Sequence, residues 1–514
     1  MYTIHYLKGF VKSFFFKQIT HQISGFRYKI QRMITKSDFI KHEECPIWLW
    51  LVKYRKDLLP KQSEALTRIF TNGNLIDELA RKLYPEGIEI EDRFERGYIN
   101  TKRMIEEGAT VMFQPTAITN DGLGCTADIL TKDLKMGLWD LREVKSSTSV
   151  KEEHLVDVAF QKICFERAGI KIGRTYLIHI NNEYVRQGEI EPEKLFVEEE
   201  ITEQVAEHMD EARKQIEEAK LIIGNIRSPD MALIQKCHNP EKCDWLDFYI
   251  HGFPEIYEIA ETFPDDHLKI LLDRGTLDYT RLPQQLLDRV GFVEPVAFEE
   301  IDREGIKKEL ADLVYPLYFF DYETYSAGIP PFDGTKPYQQ IPFQYSLDIM
   351  DEPGGEIIHK EFLARSFVNP MAELIENLKK DFGPKGSVVV WNASFETLRN
   401  KEMAEMFPEE AEFLLDLNER MFDLMLLFKF DRKIYIHSEF NKSASLKKVL
   451  PVLCPELAYT DLEIQEGGTA SASWPVMTNE ETPEEEKGNL ARAMLAYCGR
   501  DTMAMVGIFR KCIF

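Results

Sequence analysis

Three short acidic motifs have the residue types and spacing to bind divalent cations. Asp321 and Glu323 stand two apart in "LYFFDYETY", a stretch otherwise almost wholly apolar or aromatic. On a strand both carboxylates project from one face. Charges in such surroundings must be paired, hydrogen-bonded or metal-bound. Downstream, Glu396 follows the apolar run "VVVW" in the pattern Asn392-x2-Phe395-Glu396. Near the C-terminus, Tyr497 and Asp501 are four apart and share a helix face. Acids from a strand, a strand end and a helix can converge on two divalent ions about 4 Å apart. Asp423, in "MFDLMLLF", can support such a site or equally cap a helix.

A second set lies in the N-terminal half. Asp128 is followed by Glu143-x-Lys145 in an otherwise apolar segment, and then by Gln161 with Phe165 one turn on. Alternation puts Glu143 and Lys145 on one strand face, and a hairpin of this length can bring Asp128 opposite them. Two carboxylates there can hold Mg2+ or Mn2+ through oxygen, with the Lys orienting or helping to deprotonate water. The plain alternative is an exposed hairpin salt bridge.

Asp128, Glu143, Lys145, Gln161 and Phe165 resemble the PD-(D/E)XK nuclease superfamily, in particular RecB-like nucleases and their CRISPR-associated relatives. The resemblance implies an upstream His or Glu, for which Asp77 or Glu78 is the nearest candidate. Gln114 stands where a further acid would fit. Some of these nucleases carry an iron–sulfur cluster on one Cys before the core and three after it. Cys45, Cys237 and Cys243 are similar to three of those ligands, but the missing fourth thiolate argues against a cluster.

The motifs Asp321-x-Glu323, Asn392-x2-Phe395-Glu396 and Tyr497-x3-Asp501 resemble the DnaQ-like (DEDD) exonucleases of RNase H-like fold, with Glu396 in place of the usual Asp. The resemblance implies a tyrosine-type 3'-5' exonuclease with two Mg2+ or Mn2+ ions. "GTKPYQQIPFQYSL", "WNASFE", "SASLKKVLP", "GGTAS" and "AYCGRDT" are similar to a bacterial two-domain family in which a RecB-like half precedes a DnaQ-like half. Beside the metals, Tyr338, Gln339, Gln340, Gln344 and Asn392 are candidate nucleic-acid contacts, Tyr345 adding a second stacking ring. The Tyr and Gln residues can equally fix their loop to its own sheet.

Elements must deliver these groups. Ser37 or Asp38 is a plausible N-cap for one helix through "SDFIKHEECPIWLWLVKYRKDL", and "LIDELARKLYP" reads as a helix ending at Pro85. "ATVMFQPTAIT", "LGCTADILTKD" and "LWDLREVKSST" read as short strands punctuated by Asn120-Asp121-Gly122. "HLVDVAFQKICFERAG" reads as a helix closed by Gly169, and "RTYLIHIN" as a strand. A charged helix is expected over 197–223. The second half reads as strand 317–323, strand 342–350, helix 370–381 and strand 387–391, then mostly helices, with 478–489 a solvated acidic loop.

The fold expected is α/β: a RecB-like core (33–253), a helical connector (254–312) and a DnaQ-like mixed sheet (313–514). A basic extension (1–32) precedes them, with Met33 as a candidate functional start. With 514 residues the chain exceeds one core's usual reach. Its formal charge of -24 argues against a surface built broadly to coat nucleic acid, though not against a local groove. No stretch reaches the roughly 20 apolar residues of a membrane span, and eight Cys without a secreted framework fit a cytoplasmic setting. The expected function is a metal-dependent nuclease with one candidate active site in each half, both cleaving, and with DNA favoured over RNA as substrate. The rivals are a binding module with degenerate sites and a small-molecule phosphoesterase.

Overall fold

The computed structural model describes residues 33–58, 64–225, 257, 260–273, 277–293 and 297–513. The expected extension at 1–32 and the candidate cluster ligands Cys237 and Cys243 lie outside them. The chain is mixed α/β, and its described residues divide into two compact units, one drawn from 33–58, 73–181 and 191–293, the other from 64–72, 182–190 and 297–513. Among the described residues no helix is long and apolar enough to cross a membrane.

In the first unit, β1 (Ile34–Thr35), β5 (Leu123–Thr126) and β4 (Thr116–Ile118) form a small sheet in that order. A larger sheet has the order β2 (Ile88–Glu89), β3 (Val111–Phe113), β6 (Ile129–Lys132), β7 (Trp139–Val144), β8 (Ile172–Ile180), β9 (Phe196–Glu200). β6 and β7 are antiparallel, whereas β7 and β8 are parallel. A parallel pair needs a crossover.

That crossover follows four helices, α1 (Lys36–Glu44), α2 (Pro46–Tyr54), α3 (Glu64–Arg81) and α4 (Phe94–Glu106), and is itself α5 (Glu152–Arg167). It buries an almost continuous apolar face and ends at Gly169, whose φ of +90° is the left-handed value a helix terminator favours. α6 (Thr202–Gly224) packs along α5. Phe39 of α1 stacks on Phe160 of α5 at 4.6 Å, fixing α1 above the sheet.

Two local expectations are corrected here. The single helix expected from Ser37 is two helices, because Pro46 disfavours helical backbone at Cys45, which is extended at φ -158°. Its cap is Thr35, which accepts from the Asp38 N–H while the Asp38 carboxylate takes the Thr35 N–H. The charged helix expected over 197–223 begins at Thr202, since 196–200 pair with β8 as an edge strand.

The connector is divided. α7 (Asp265–Asp273) and α8 (Gln284–Arg289) go with the first unit; β10 (Glu299–Ile301) and α9 (Arg303–Leu310) go with the second.

The second unit is a five-stranded sheet in the order β13 (Ile357–Leu363), β12 (Ile341–Met350), β11 (Leu317–Tyr325), β14 (Ser387–Val390), β15 (Met421–Asp423). β12 runs antiparallel to both β11 and β13, and β14 and β15 run parallel to β11. Alternation sends Tyr318, Phe320 and Tyr322 to one core with α10 (Met371–Asp381), and Leu317, Phe319 and Tyr325 to another. α11 (Ala393–Met406) follows β14 directly, and α12 (Ala411–Glu419) precedes β15. The short strand β16 (Tyr435–His437) pairs with β10. Then come α13 (Leu446–Leu453), α14 (Gly467–Thr478) and α15 (Glu484–Ile513).

α15 lies across β11 and β12 and buries thirteen side chains. Trp474 of α14 is fully buried, stacked on Phe343 at 4.9 Å, with its indole N–H donated to the Ala364 carbonyl. The acidic loop expected over 478–489 is shorter than that. α15 starts at Glu484, and Glu484, Glu485 and Glu486 sit in its first turn, where the helix dipole favours negative charge.

Candidate metal centres

The β11 alternation that buries Leu317 and Phe319 also places Asp321 and Glu323 on the face covered by α15. A register shift between Glu323 and Thr324 interrupts the pairing of β11 with β12 beside these acids, and the pairing resumes at Thr324 and Tyr325. Glu396 enters from the first turn of α11, whose N-cap Asn392 takes a left-handed conformation (φ +79°) at the sharp exit from β14. Tyr497, Cys498 and Asp501 come from the middle of α15 and are all buried.

These groups share one electrostatic environment. Burial raises the Asp321 carboxyl well above its usual range, and Asp501, Glu323 and Glu396 raise it further. Glu323 is likewise raised by burial and by Asp501, with Lys447 opposing. Burial pushes Glu396 up to about 8, with Asp423 adding and Arg399 opposing. Asp501 is pushed up to about 6 by burial, against hydrogen bonds from Tyr459 and Tyr497 and the charge of Lys447. Asp501, Glu323 and Glu396 thus each repel Asp321, and Asp501 repels Glu323. Oε2 of Glu396 is buried and has no hydrogen-bond partner.

An all-carboxylate oxygen set with one orphaned buried oxygen fits a hard divalent cation such as Mg2+ or Mn2+. Asp321, Glu323, Glu396 and Asp501 would hold it. The Asp423 carboxylate accepts from the Asn392 and Met425 N–H groups, so it braces the start of α11.

In the first unit the E-x-K pair closes into an ion network. Lys145 lies 2.8 Å from Oε1 of Glu143 and 2.6 Å from Oδ2 of Asp157. Lys36, at the start of α1, reaches Oε1 of Glu143 at 2.6 Å and Asp157 at 3.6 Å. Gln161 donates to Oε2 of Glu143 at 2.8 Å and to Asp157 at 3.1 Å. Burial pushes Glu143 up, but the two ammonium groups outweigh it and hold the carboxyl well below its usual range.

Asp128 accepts from the Val144 N–H, and its carboxyl is pushed up to about 7 by burial, then by Glu143 and Asp77. Of the two upstream candidates, Asp77 faces this group with a buried, unpartnered Oδ1, while Glu78 is exposed. Gln114 bridges Asp77 and Asp128 at 3.4 Å each. Phe165 is a core side chain.

The proposed nucleic-acid contacts fare unevenly. Tyr338 is exposed, but Gln339 turns back on its own loop, accepting from the Lys336 N–H, and Gln340 ties the loop to the sheet, accepting from the Thr324 hydroxyl of β11. Asn392 is exposed and accepts from the Ser394 hydroxyl. Gln344 is corrected: it is fully buried and donates to the Met494 carbonyl, tying β12 to α15. Tyr345 is buried too, bonded to Asp381. Cys45 is half-buried at the junction of α1 and α2.

Several residues of these sites went unread in the sequence. Asp157 could have been found, four before Gln161 on the same helix face. Lys36, Tyr459 and Lys447 carry no spacing signal. Gly467, at the start of α14, lies so near that a Cβ there would stand 3.5 Å from Oε2 of Glu323 and 3.9 Å from the Tyr497 hydroxyl.

Residues 318–445 match the model of a "Domain of unknown function (DUF2779)". The match takes in Asp321, Glu323 and Glu396 and ends before Tyr497 and Asp501. The chain is 28% identical over 208 residues to "Uncharacterized protein MG366" of Mycoplasma genitalium, covering 37% of this chain and 31% of that protein. It is 28% identical over 207 residues to the homolog in Mycoplasma pneumoniae, with the same coverage. A third relative, "Uncharacterized protein UU173" of Ureaplasma parvum, is 25% identical over 211 residues. The chain thus spans less than a third of the length of these curated relatives.

Proposed function

We propose that the protein is a divalent-metal-dependent nuclease whose hydrolytic centre lies in the second unit, at Asp321, Glu323, Glu396 and Asp501. The observation that carries this reading is the convergence on Asp321 of three carboxylates that repel it, Glu323 of the same strand, Glu396 of α11 and Asp501 of α15. The central β11, flanked by antiparallel β12 and parallel β14, agrees with the mixed sheet expected of RNase H-like exonucleases. When bound, the cations supply a Lewis acid and an activated water. Tyr497, hydrogen-bonded to Asp501, positions that water, and exposed Asn392 and Tyr338 lie on loops able to meet a strand.

The RecB-like set of the first unit supports a second centre, in which Asp77, Asp128 and Glu143 would hold the cation. One observation favours a binding role there instead: Lys36 and Lys145 already satisfy Glu143 without an ion.

The test is cleavage of end-labelled single- and double-stranded DNA and RNA with Mg2+, with Mn2+ and with chelator. Wild type is expected to cleave with metal, Asp321→Asn and Asp501→Asn to be inactive, and Glu143→Gln to retain cleavage. No metal-dependent cleavage of any substrate refutes the reading. Activity on mononucleotides, without the salt dependence of backbone contacts, marks a small-molecule phosphoesterase.

A further inference from the structure

Cys498 is buried yet belongs to none of the apolar cores that hold Cys454 and Cys512. A buried thiol ordinarily behaves as a small hydrophobe. Here Sγ stands 3.7 Å from Oδ2 of Asp321 and 3.9 Å from the Asp321 carbonyl oxygen. Asp321, Glu323 and Cys498 each present one donor atom, all within 4.8 Å of one another. Ligands of one zinc ion, each roughly 2.0–2.3 Å from it, stand roughly 3–4 Å apart. The side chains therefore span a single ion with little movement. Glu396, 2% exposed with an unpartnered Oε2, adds its charge to the same group from α11.

We propose that Asp321, Glu323 and Cys498 form a site for a thiophilic divalent cation, Zn2+ or its softer analogue Cd2+. Two carboxylate oxygens and one sulfur make a mixed set that a thiolate-preferring ion takes and that Mg2+ does not fully use. As the metal–sulfur bond forms, the thiol gives up its proton to solvent, and the ion's charge offsets that of the acids. Occupancy by Zn2+ withdraws Asp321 and Glu323 from any other metal, so Zn2+ competes with Mg2+ or Mn2+. The inference goes beyond the hydrolytic reading and holds whether or not the protein cleaves nucleic acid.

The test uses the reduced, chelator-treated full chain, titrated with Cd2+ and read by the ultraviolet thiolate-to-cadmium charge-transfer band. The other cysteines contribute alike to wild type and Cys498→Ser, so the difference isolates one thiolate. Wild type is expected to exceed Cys498→Ser by one saturable sulfur–cadmium contribution. Asp321→Asn is expected to keep the thiol but weaken that contribution by about tenfold or more. Should Cys498→Ser fail to fold, Asp321→Asn alone decides, since unchanged affinity overturns the proposal. Equal bands in wild type and folded Cys498→Ser also overturn it. Absent cleavage with a persisting band refutes only the nuclease reading, and an absent band with persisting cleavage refutes only this one.

Discussion

Lys36 and Glu143 meet at 2.6 Å although 107 positions separate them, and Lys145 shares the same carboxylate oxygen at 2.8 Å. Glu143 is 2% exposed, so its charge depends on these partners. Lys36→Met leaves Lys145 in place and is expected to cost about 1–3 kcal/mol, the scale of a lost charged hydrogen bond, read from urea unfolding at neutral pH. Burial works against the Lys36 ammonium, but Asp157, Glu143 and Asp128 hold its pKa well above the usual value. Its contribution is therefore complete below about pH 10.4, the unfolded value. It fades as pH rises through the folded value, so the gap between wild type and variant is expected to persist from pH 7 to 10. The variant should also bind Mn2+ more tightly in the first unit, measured by calorimetry with Asp321→Asn as background.

In the second unit the sign reverses from the usual carboxylate case. Glu396 and Asp501 have raised folded values, about 8 and about 6, chiefly through burial. Their contribution to stability is complete below the unfolded values of about 4.3 and 3.9. It is lost as pH rises through about 6 and about 8. In chelator, Tm is expected to fall across this window, and stabilisation by Mn2+ is expected to grow across it. Glu396→Gln should flatten the part of the slope nearest pH 8. Thermal melts at a series of pH values, with and without Mn2+, decide the matter.

Tyr497 and Asp321 are expected to separate rate from metal binding. Tyr497→Phe keeps every carboxylate, so the Mn2+-dependent rise in Tm should persist while cleavage falls by about a hundredfold, the low end of general acid–base contributions. Asp321→Asn should lose both. A Tyr497→Phe protein that cleaves like wild type removes the tyrosine from the chemistry.

Gln344 and Gln339 give a contrast in stability. Gln344 is fully buried and bonded to Met494, so Gln344→Ala is expected to cost about 2–4 kcal/mol from cavity and lost hydrogen bond together. Gln339→Ala removes only a loop contact to the Lys336 N–H and should change stability by no more than about 1 kcal/mol. Chemical denaturation of both variants checks this.

The sequence was informative wherever period and burial acted together. Alternation in "LYFFDYETY" foretold β11 and the shared face of Asp321 and Glu323, and the helical spacing of "HLVDVAFQKICFERAG" foretold α5 with its terminating Gly169. Legibility failed where partners come from distant chain. Nothing near Lys36 announces Glu143, and nothing near Tyr459 announces Asp501. Gln344 misled because a polar side chain in a motif looks exposed until its strand is seen to be covered on both faces. β13 went unread because six of its seven residues are exposed or half-exposed at the sheet edge, and the short β15 and β16 lack room for alternation.

One consequence follows from the span of chain between Glu323 on β11 and Asp501 on α15. During synthesis the acids of β11 leave the ribosome long before the residues that complete their pocket exist, and α15 arrives last of the described elements. A nascent chain halted after α14 lacks Asp501 and holds Asp321 and Glu323 on a sheet face that α15 has not yet covered, beside Phe319, which has yet to meet Phe509. Such a fragment leaves that surface exposed, which makes it a substrate for chaperones and proteases.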